Sequence, residues 1–369
     1  MKIAIDAYHA ARPHGGIARY TRGLALAMFE LAQSDEFILF SNRFRENVKE
    51  WNPHLPNVSS TTLHAPKRLM QAAWDYLSWP PIEKWTEDID IYHGMHFVLP
   101  AVRAAKCVLT VHDLTYLKHP EFFVYSKLNQ RGYLKELPAA LKRADAVIAV
   151  SESTKHDLMT LMDYPEERIH VIYEGVEAHF FERVSSEQEQ CILNQYKLNK
   201  PYMIFLVGTP EPRKNLERTI RAAQSVAPDM PIAVVGDPEL VHALLRDALA
   251  SVCVLGSVPD EDLSILLHAA ELSLYPSLYE GFGLPILESM AAGVPVITSN
   301  ISSCPEVAGD AALLVDPYDE KAMADAIQEI LQHETKANDM RQAGEERASL
   351  FTWQRAAKDV LQLYRDLVQ

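Results

Sequence analysis

The chain has 369 residues, 48% of them apolar and 9% aromatic, which is enough to bury two hydrophobic cores. With 35 basic against 50 acidic residues the formal charge is -15, and a field of that sign repels a nucleic-acid polyanion. Cys107, Cys191, Cys253 and Cys304 form no C-x-x-C pair, so they indicate neither a zinc site nor a disulfide framework and fit a reducing cytoplasm.

In chain order, residues 2–7 read as an apolar strand and not as a signal peptide. No run approaches the ~18 apolar residues of a membrane span. A loop with Gly15 and Gly16 leads into a helix whose apolar positions include Ile17, Leu24, Met28 and Leu31, and a strand at 36–40 follows. This alternation implies a parallel sheet covered on both faces. Between 67 and 85, Trp74, Tyr76, Trp79 and Trp85 stand among Lys67, Arg68 and Lys84. Such a composition suits either a helix anchored to the core or an acceptor- or membrane-facing surface. Phe122, Phe123 and Tyr125 pose the same alternative. Asp88-Ile89-Asp90 spells D-x-D, a pattern that can hold a metal, but it opens a strand and reads as turn chemistry. The apolar run 107–111 is a buried strand with His112 and Asp113 at its carboxyl end, where open α/β sheets bind ligands. His96 belongs to another strand-end cluster, and Ser151 is placed to cap a helix after a strand at 144–150.

The glutamine-rich, charged run 182–200 reads as a hinge. A buried strand at 202–207 then delivers Arg213 and Lys214 to a loop entering a helix that Asn215 can cap. A guanidinium fork and an ammonium at a strand end suit a diphosphate. Further strands are expected at 232–236, 253–258, 271–275 and 311–319, and the terminal segment is helical by the spacing of Ala357, Val360, Leu361, Tyr364 and Leu367. Residues 277–300 concentrate the chemistry. Gly281 and Gly283 let backbone approach a ligand, Pro285 fits a first helical position, and Gly293 suits the end of a two-turn helix from about Leu284. Its N-terminal N–H groups and dipole suit a phosphate. Glu280 lies in the turn and Glu288 about one turn into the helix, and each carboxylate can accept from adjacent hydroxyls. A sugar at each end with phosphate between is a nucleotide-sugar.

The pair Glu280 and Glu288, in E-G-F-G-x-x-x-x-E followed by Ala292, Gly293, Pro295, Val296 and Ile297, resembles the retaining glycosyltransferases of family 4. The resemblance implies the α/β GT-B architecture. Two Rossmann-like domains, 1–181 and 201–350, would face across a cleft, joined by a linker at 182–200, with 351–369 crossing back. It implies that Glu280 and the N–H groups of Gly281, Phe282 and Gly283 hold the donor sugar, Leu284 the diphosphate and Glu288 the ribose. Arg213 and Lys214 would stabilise the leaving group, Gly16 and Gly208 would lie on the nucleotide side, and Ser257 and Val258 near the base. His112 would act by positioning and charge near the anomeric centre, with His96, Asp113 and Tyr116 on the acceptor side. Glu174 stands where the family has Asn. No metal or other cofactor is implied.

The run 303–319 and the loop around Arg213 look like those of bacterial mannosyltransferases of surface polysaccharide synthesis, which favours GDP-mannose over a UDP- or dTDP-sugar. The acceptor would be a glycan, lipid-linked at the inner membrane face, met by a cytoplasmic and peripheral protein. Retention would ordinarily call for a carboxylate nucleophile, and no residue is clearly placed for one, which favours a same-face displacement. A sugar-nucleotide epimerase and a non-catalytic nucleotide-binding scaffold are the readings from other classes.

Overall fold

A computed structural model describes residues 1–12, 15–45, 50–122, 127–208, 211–245 and 251–369, with backbone alone over 127–132. The chain separates into two units, one made of Met1–Gly175 with Trp353–Gln369 and the other of Val176–Thr352.

In the first unit the chain runs β1 (Lys2–Asp6), α1 (Gly16–Leu31), β2 (Glu36–Asn42), β3 (Val58–Leu63), α2 (Lys67–Leu77), α3 (Glu83–Thr86), β4 (Ile91–Gly94) and β5 (Lys106–Val111). It continues with α4 (Thr115–Lys118), α5 (Lys127–Arg143), β6 (Ala146–Ala149), α6 (Glu152–Met162) and β7 (Ile169–Val171). The strands form one parallel sheet in the order β3-β2-β1-β4-β5-β6-β7. Parallel strands with helices on both faces are buried throughout, which is why Ile91–Gly94 and Ala146–Ala149 carry no exposed position. The edge strand β3 reads VSSTTL and is half exposed. Its polar composition hid it from the sequence reading, as edge strands need no apolar run.

The second unit runs α7 (Ser186–Gln195), β8 (Met203–Gly208), α8 (Leu216–Val226), β9 (Ile232–Gly236), α9 (Pro238–Leu245), β10 (Val252–Gly256), α10 (Asp260–Ala269) and β11 (Leu272–Tyr275). It ends with α11 (Leu284–Ala291), β12 (Val296–Ser299), α12 (Cys304–Ala308), β13 (Leu313–Val315), α13 (Glu320–Gln332) and α14 (Glu334–Ala348). Its parallel sheet has the order β10-β9-β8-β11-β12-β13. The stretch 182–200, read as a hinge, carries α7 inside this unit. Ser185 and Gln188 close a capping box at its start, because a serine three residues before a glutamine satisfies two orphan N–H donors at once. The strand expected over 311–319 shortens to Leu313–Val315.

The last helix, α15 (Trp353–Val368), belongs to the first unit, and its apolar stripe through Ala357, Val360, Leu361 and Tyr364 is buried there. Trp353 lies against α1 where Gly23 leaves room, and a Cβ at Gly23 would fall inside the indole ring. Gly23→Ala is therefore expected to lower stability by about 1–3 kcal/mol despite the better helix propensity of alanine. Urea unfolding measures this, and an unchanged midpoint would mean that α15 docks without that contact.

Candidate active site

In the second unit, the glycine turn after β11 and the loop after β8 meet around one carboxylate. Glu280 is buried, with its Oε2 accepting from Arg213 Nη1 at 2.6 Å and its Oε1 from Lys214 Nζ at 2.7 Å. Lys214 also donates to the Tyr275 hydroxyl at 2.6 Å, and Tyr275 donates in turn to Glu280 Oε1 at 2.9 Å. Glu211 takes the other edge of the Arg213 guanidinium, Nε to Oε2 at 2.6 Å. Burial by itself would raise the Glu280 pKa, but the charges of Arg213 and then Lys214 outweigh it and hold the carboxyl at about 2 against an ordinary 4.5. Burial, and then Arg213, draw the Lys214 pKa down, with Glu280 opposing.

The backbone of the turn is clamped as well. Ser302 accepts from Glu280 N at 3.1 Å and donates to Glu280 O at 2.6 Å, while Ser303 donates to Glu280 O at 3.0 Å and Phe282 O at 2.6 Å. Gly283 then adopts φ +117 and ψ 48, a conformation that side-chain-bearing residues rarely take, and α11 starts directly behind it with Pro285 in its first turn. Glu288 is buried within α11, and Gly293 ends the turn at φ +65. The helix N-terminus, the glycine turn and the two cations thus share one loop cluster at the carboxyl ends of β8 and β11. Gly208 closes β8 at φ +62, and after β10 Ser257 is exposed while Val258 is buried.

One expectation is corrected here. Asn215 occupies the N-cap position of α8 but makes no capping bond. Its Nδ2 donates instead to the carbonyls of Pro276 at 3.0 Å and Pro317 at 2.7 Å, so the residue ties three loops together. Tyr275, Ser302 and Ser303 were missed by sequence reasoning, because a tyrosine ending an apolar strand reads as core and two serines read as a polar loop.

The first unit gathers a separate set. His112 follows β5 with Nε2 donating to Met95 O at 2.9 Å and Nδ1 facing Glu174 Oε1 at 3.4 Å. The Tyr20 ring of α1 meets it edge-on at 4.7 Å. The ring is thus held in one orientation between a carbonyl and a carboxylate. Behind it runs a buried chain in which Tyr20 bonds Thr110 at 3.0 Å, Thr110 bonds His93 Nε2 at 2.7 Å, and His93 Nδ1 bonds Tyr364 of α15 at 2.5 Å. His96 lies 4.8 Å from His9 and 6.5 Å from His112, ring to ring. Asp113 Oδ1 accepts from Thr115 N and Oγ1, so this carboxylate shapes the start of α4, and Tyr116 packs 5.0 Å from Tyr133. Gly15 at φ +116 precedes Gly16, the first residue of α1. Of the D-x-D pair, Asp90 accepts from the backbone N–H of Lys2 at 2.7 Å and exposed Asp88 lies 3.8 Å from Arg103.

Two family descriptions match the chain, Glycosyltransferase Family 4 over residues 14–180 and Glycosyl transferases group 1 over residues 190–347. The O-antigen chain mannosyltransferase B of Escherichia coli is 33% identical over 287 residues, covering 74% of each protein. The chain belongs to the family 4 glycosyltransferases. A second relative of this glycosyltransferase, the serotype-specific mannosyltransferase WbdA of Escherichia coli, is 29% identical over 277 residues. That match covers 72% of this chain and 34% of WbdA, so the chain spans about a third of that relative's length. The solved structure of a sucrose-phosphate synthase from Thermosynechococcus elongatus matches with a TM-score of 0.79 over 100% of this chain and 99% of that one, at 23% identity, which shows the GT-B fold.

The depressed Glu280 pKa has a direct consequence for this glycosyltransferase. A carboxyl whose folded pKa lies below 4.5 contributes stability that is full above that pH and is lost as pH falls through about 2, here on the order of 3 kcal/mol. Glu280→Gln leaves the buried Lys214 without its counter-charge and Arg213 with Glu211 alone, and is expected to cost about 3–5 kcal/mol at neutral pH. The difference between wild type and variant should shrink as pH falls toward 2 in urea unfolding. A difference that stays constant with pH would mean that Glu280 does not carry the pairing.

Proposed function

We propose that this glycosyltransferase transfers mannose from GDP-mannose, with retention at the anomeric carbon and without a metal, to a growing glycan in surface-polysaccharide synthesis. The observation that carries the donor site is Glu280 fixed between Arg213 and Lys214 at the glycine turn that opens α11. In this reading the turn and the helix N-terminus take the diphosphate, and the two cations neutralise the charge that builds on the leaving GDP. Glu288 accepts from the ribose hydroxyls. The departing phosphate oxygen takes the acceptor's proton as the new bond forms on the same face, and His112 serves orientation and charge. The mannosyl preference draws on the relatives, described as mannosyltransferases.

A peripheral membrane role is supported by α2. Trp74 is buried and donates Nε1–H to Pro80 O at 3.0 Å, anchoring the helix. Tyr76 and Trp79 are 82% and 61% exposed beside exposed Leu69 and Leu77, with Lys67, Arg68 and Lys84 also exposed. Of the two alternatives read from this segment, burial supports the core anchor for Trp74, and the exposure of Tyr76 and Trp79 is compatible with the acceptor- or membrane-facing one. An apolar, aromatic and basic face suits the interface of an anionic bilayer. Phe122 stacks on His119 at 4.9 Å, while Phe123 and Tyr125 lie outside the described residues. No helix among the described residues is long and apolar enough to cross a membrane.

Thermal unfolding in EDTA with GDP, GDP-mannose, UDP, UDP-glucose and dTDP-glucose tests the donor, since a ligand of the folded state raises the midpoint with its affinity. GDP and GDP-mannose are expected to stabilise and UDP not. A UDP preference overturns the donor, and binding only with added metal overturns the metal-free site. Glu288→Ala should weaken GDP by about tenfold or more, and Lys214→Ala should lower turnover by about 100-fold. Unchanged GDP affinity in Glu288→Ala removes the ribose assignment. In sedimentation with anionic vesicles, the doubly substituted Tyr76→Ser/Trp79→Ser protein should bind several-fold less than wild type, and equal binding would remove α2 from the membrane reading.

A further inference from the structure

We propose that Glu174 is a positioning residue for the transfer, holding His112 as an imidazolium through a proton that lies between the two side chains. The inference rests on the transferase reading above and names the source of the charge which that reading gives His112.

The pair is assembled at the carboxyl end of the first unit's sheet. In the strand order β6 separates β5 from β7. His112 directly follows β5, and Glu174 lies a short way past β7, where Ile172 N still donates to Ala149 O at 3.0 Å. Both exits leave parallel strands at the same end, so the two side chains meet beyond the end of β6, Nδ1 to Oε1 at 3.4 Å.

The partners fix the hydrogen-bond roles. Met95 O is a carbonyl and only accepts, so His112 Nε2 carries a proton. An ionised carboxylate also only accepts, and a bare Nδ1 would face Glu174 lone pair to lone pair. A hydrogen bond here needs one further proton, on the ring or on the carboxyl. An ordinary imidazole holds a proton more tightly than an ordinary carboxylate does, which assigns it to His112. An amide side chain at 174 could turn its NH₂ toward a bare Nδ1 and leave the ring neutral. An ionised glutamate has no such option, so the residue type selects the charged ring.

The groups around the ring leave that charge on His112. His9 and His93 are depressed to about 3 and His96 falls well below the ordinary range, in each case first by burial. The His112 charge lowers all three further, and Arg12 and Lys67 act in the same direction on His9 and His96. Tyr20, edge-on to the ring, stays a neutral phenol because burial raises its pKa and the Glu174 charge adds to that. Thr154 of α6 donates to the His112 carbonyl at 3.3 Å, and Asp113 turns its carboxylate to Thr115. Among the described residues, Glu174 is thus the carboxylate that meets the ring. The Glu174 side chain is 6% exposed and the imidazole 15%, so the cationic end of the pair is the more open one. A cation held there by an opposite charge behind it suits negative charge developing on the donor.

Nitrogen NMR of the histidine side chains in the full chain at neutral pH tests the pair, with the His112 signals identified by their loss in His112→Gln. Both His112 ring nitrogens are expected to carry protons in the wild type, and Nε2 alone in Glu174→Gln. A bare His112 nitrogen in the wild type, or the same state in both proteins, overturns the proposal, and the first of these outcomes needs no variant at 174 to fold. Release of GDP from GDP-mannose, with methyl α-mannoside as the acceptor probe, tests the effect on transfer. Glu174→Gln should lower kcat by about tenfold, keep GDP affinity within about twofold of wild type, and cause no further loss in a His112→Gln background. An equal fold loss in both backgrounds means that Glu174 does not act through His112 and overturns the positioning role. If the wild type does not turn over GDP-mannose, the donor reading falls by itself, and the imidazole spectra of the free proteins decide the pair.

Discussion

A buried carboxylate paired with a buried ammonium and a partly buried guanidinium organises the second unit, because the Glu280 and Lys214 charges are not tolerable there without each other. Removing water from an ion costs several kcal/mol, and only close opposite charge with filled hydrogen-bond positions offsets it. Glu280 meets that demand through Arg213, Lys214 and the Tyr275 hydroxyl. Meeting it fixes the backbone too. Leu278 N donates to Arg213 O at 2.7 Å, and Asn215 reaches the carbonyls of Pro276 and Pro317, so the loops leaving β8, β11 and β13 are locked in one arrangement. The start of α11 is set by these locks and by Ser302 and Ser303, and its orientation is as much an electrostatic result as a packing one.

The first unit solves a similar problem without an ion pair at its centre. His93 is fully buried and burial depresses its pKa to about 3, so the ring is neutral and has one donor and one acceptor nitrogen to satisfy. Thr110 and Tyr364 meet those two needs, and Tyr20 extends the chain to the edge of His112. A neutral hydrogen-bonded chain holds its members in place at a lower desolvation cost than charges would incur. The two units thus present their candidate residues by different means, a tightly paired charge cluster in one and an oriented imidazole in the other.

Much of this was readable in the sequence where the physics is local. Gly281, Gly283, Pro285 and Gly293 announce a turn, a helix start and a helix end, and the structure has each of them. Ser151 caps α6 through Thr154 N as expected, since capping depends on a few adjacent residues. The inner strands of both sheets appear as apolar runs because both faces of a parallel sheet are covered, whereas the polar edge strand β3 does not. What depended on distant partners was not legible. Asn215 has the right residue type to cap α8 but finds better acceptors on two other loops. The cationic partners of Glu280 lie 66 and 67 residues away, and the unit boundary at Gly175 falls before a polar stretch that the charge pattern alone marked as linker.

The first unit is also discontinuous in sequence, since α15 completes it after the whole second unit has intervened. During synthesis the second unit therefore has all its strands and helices before the first can close. Until α15 emerges, Trp353 is missing from its place against Gly23 and His93 lacks the Tyr364 hydroxyl. The nascent first unit must wait with an uncovered face on α1 and an unsatisfied imidazole in its core, and that interval is when it most needs shielding from other chains.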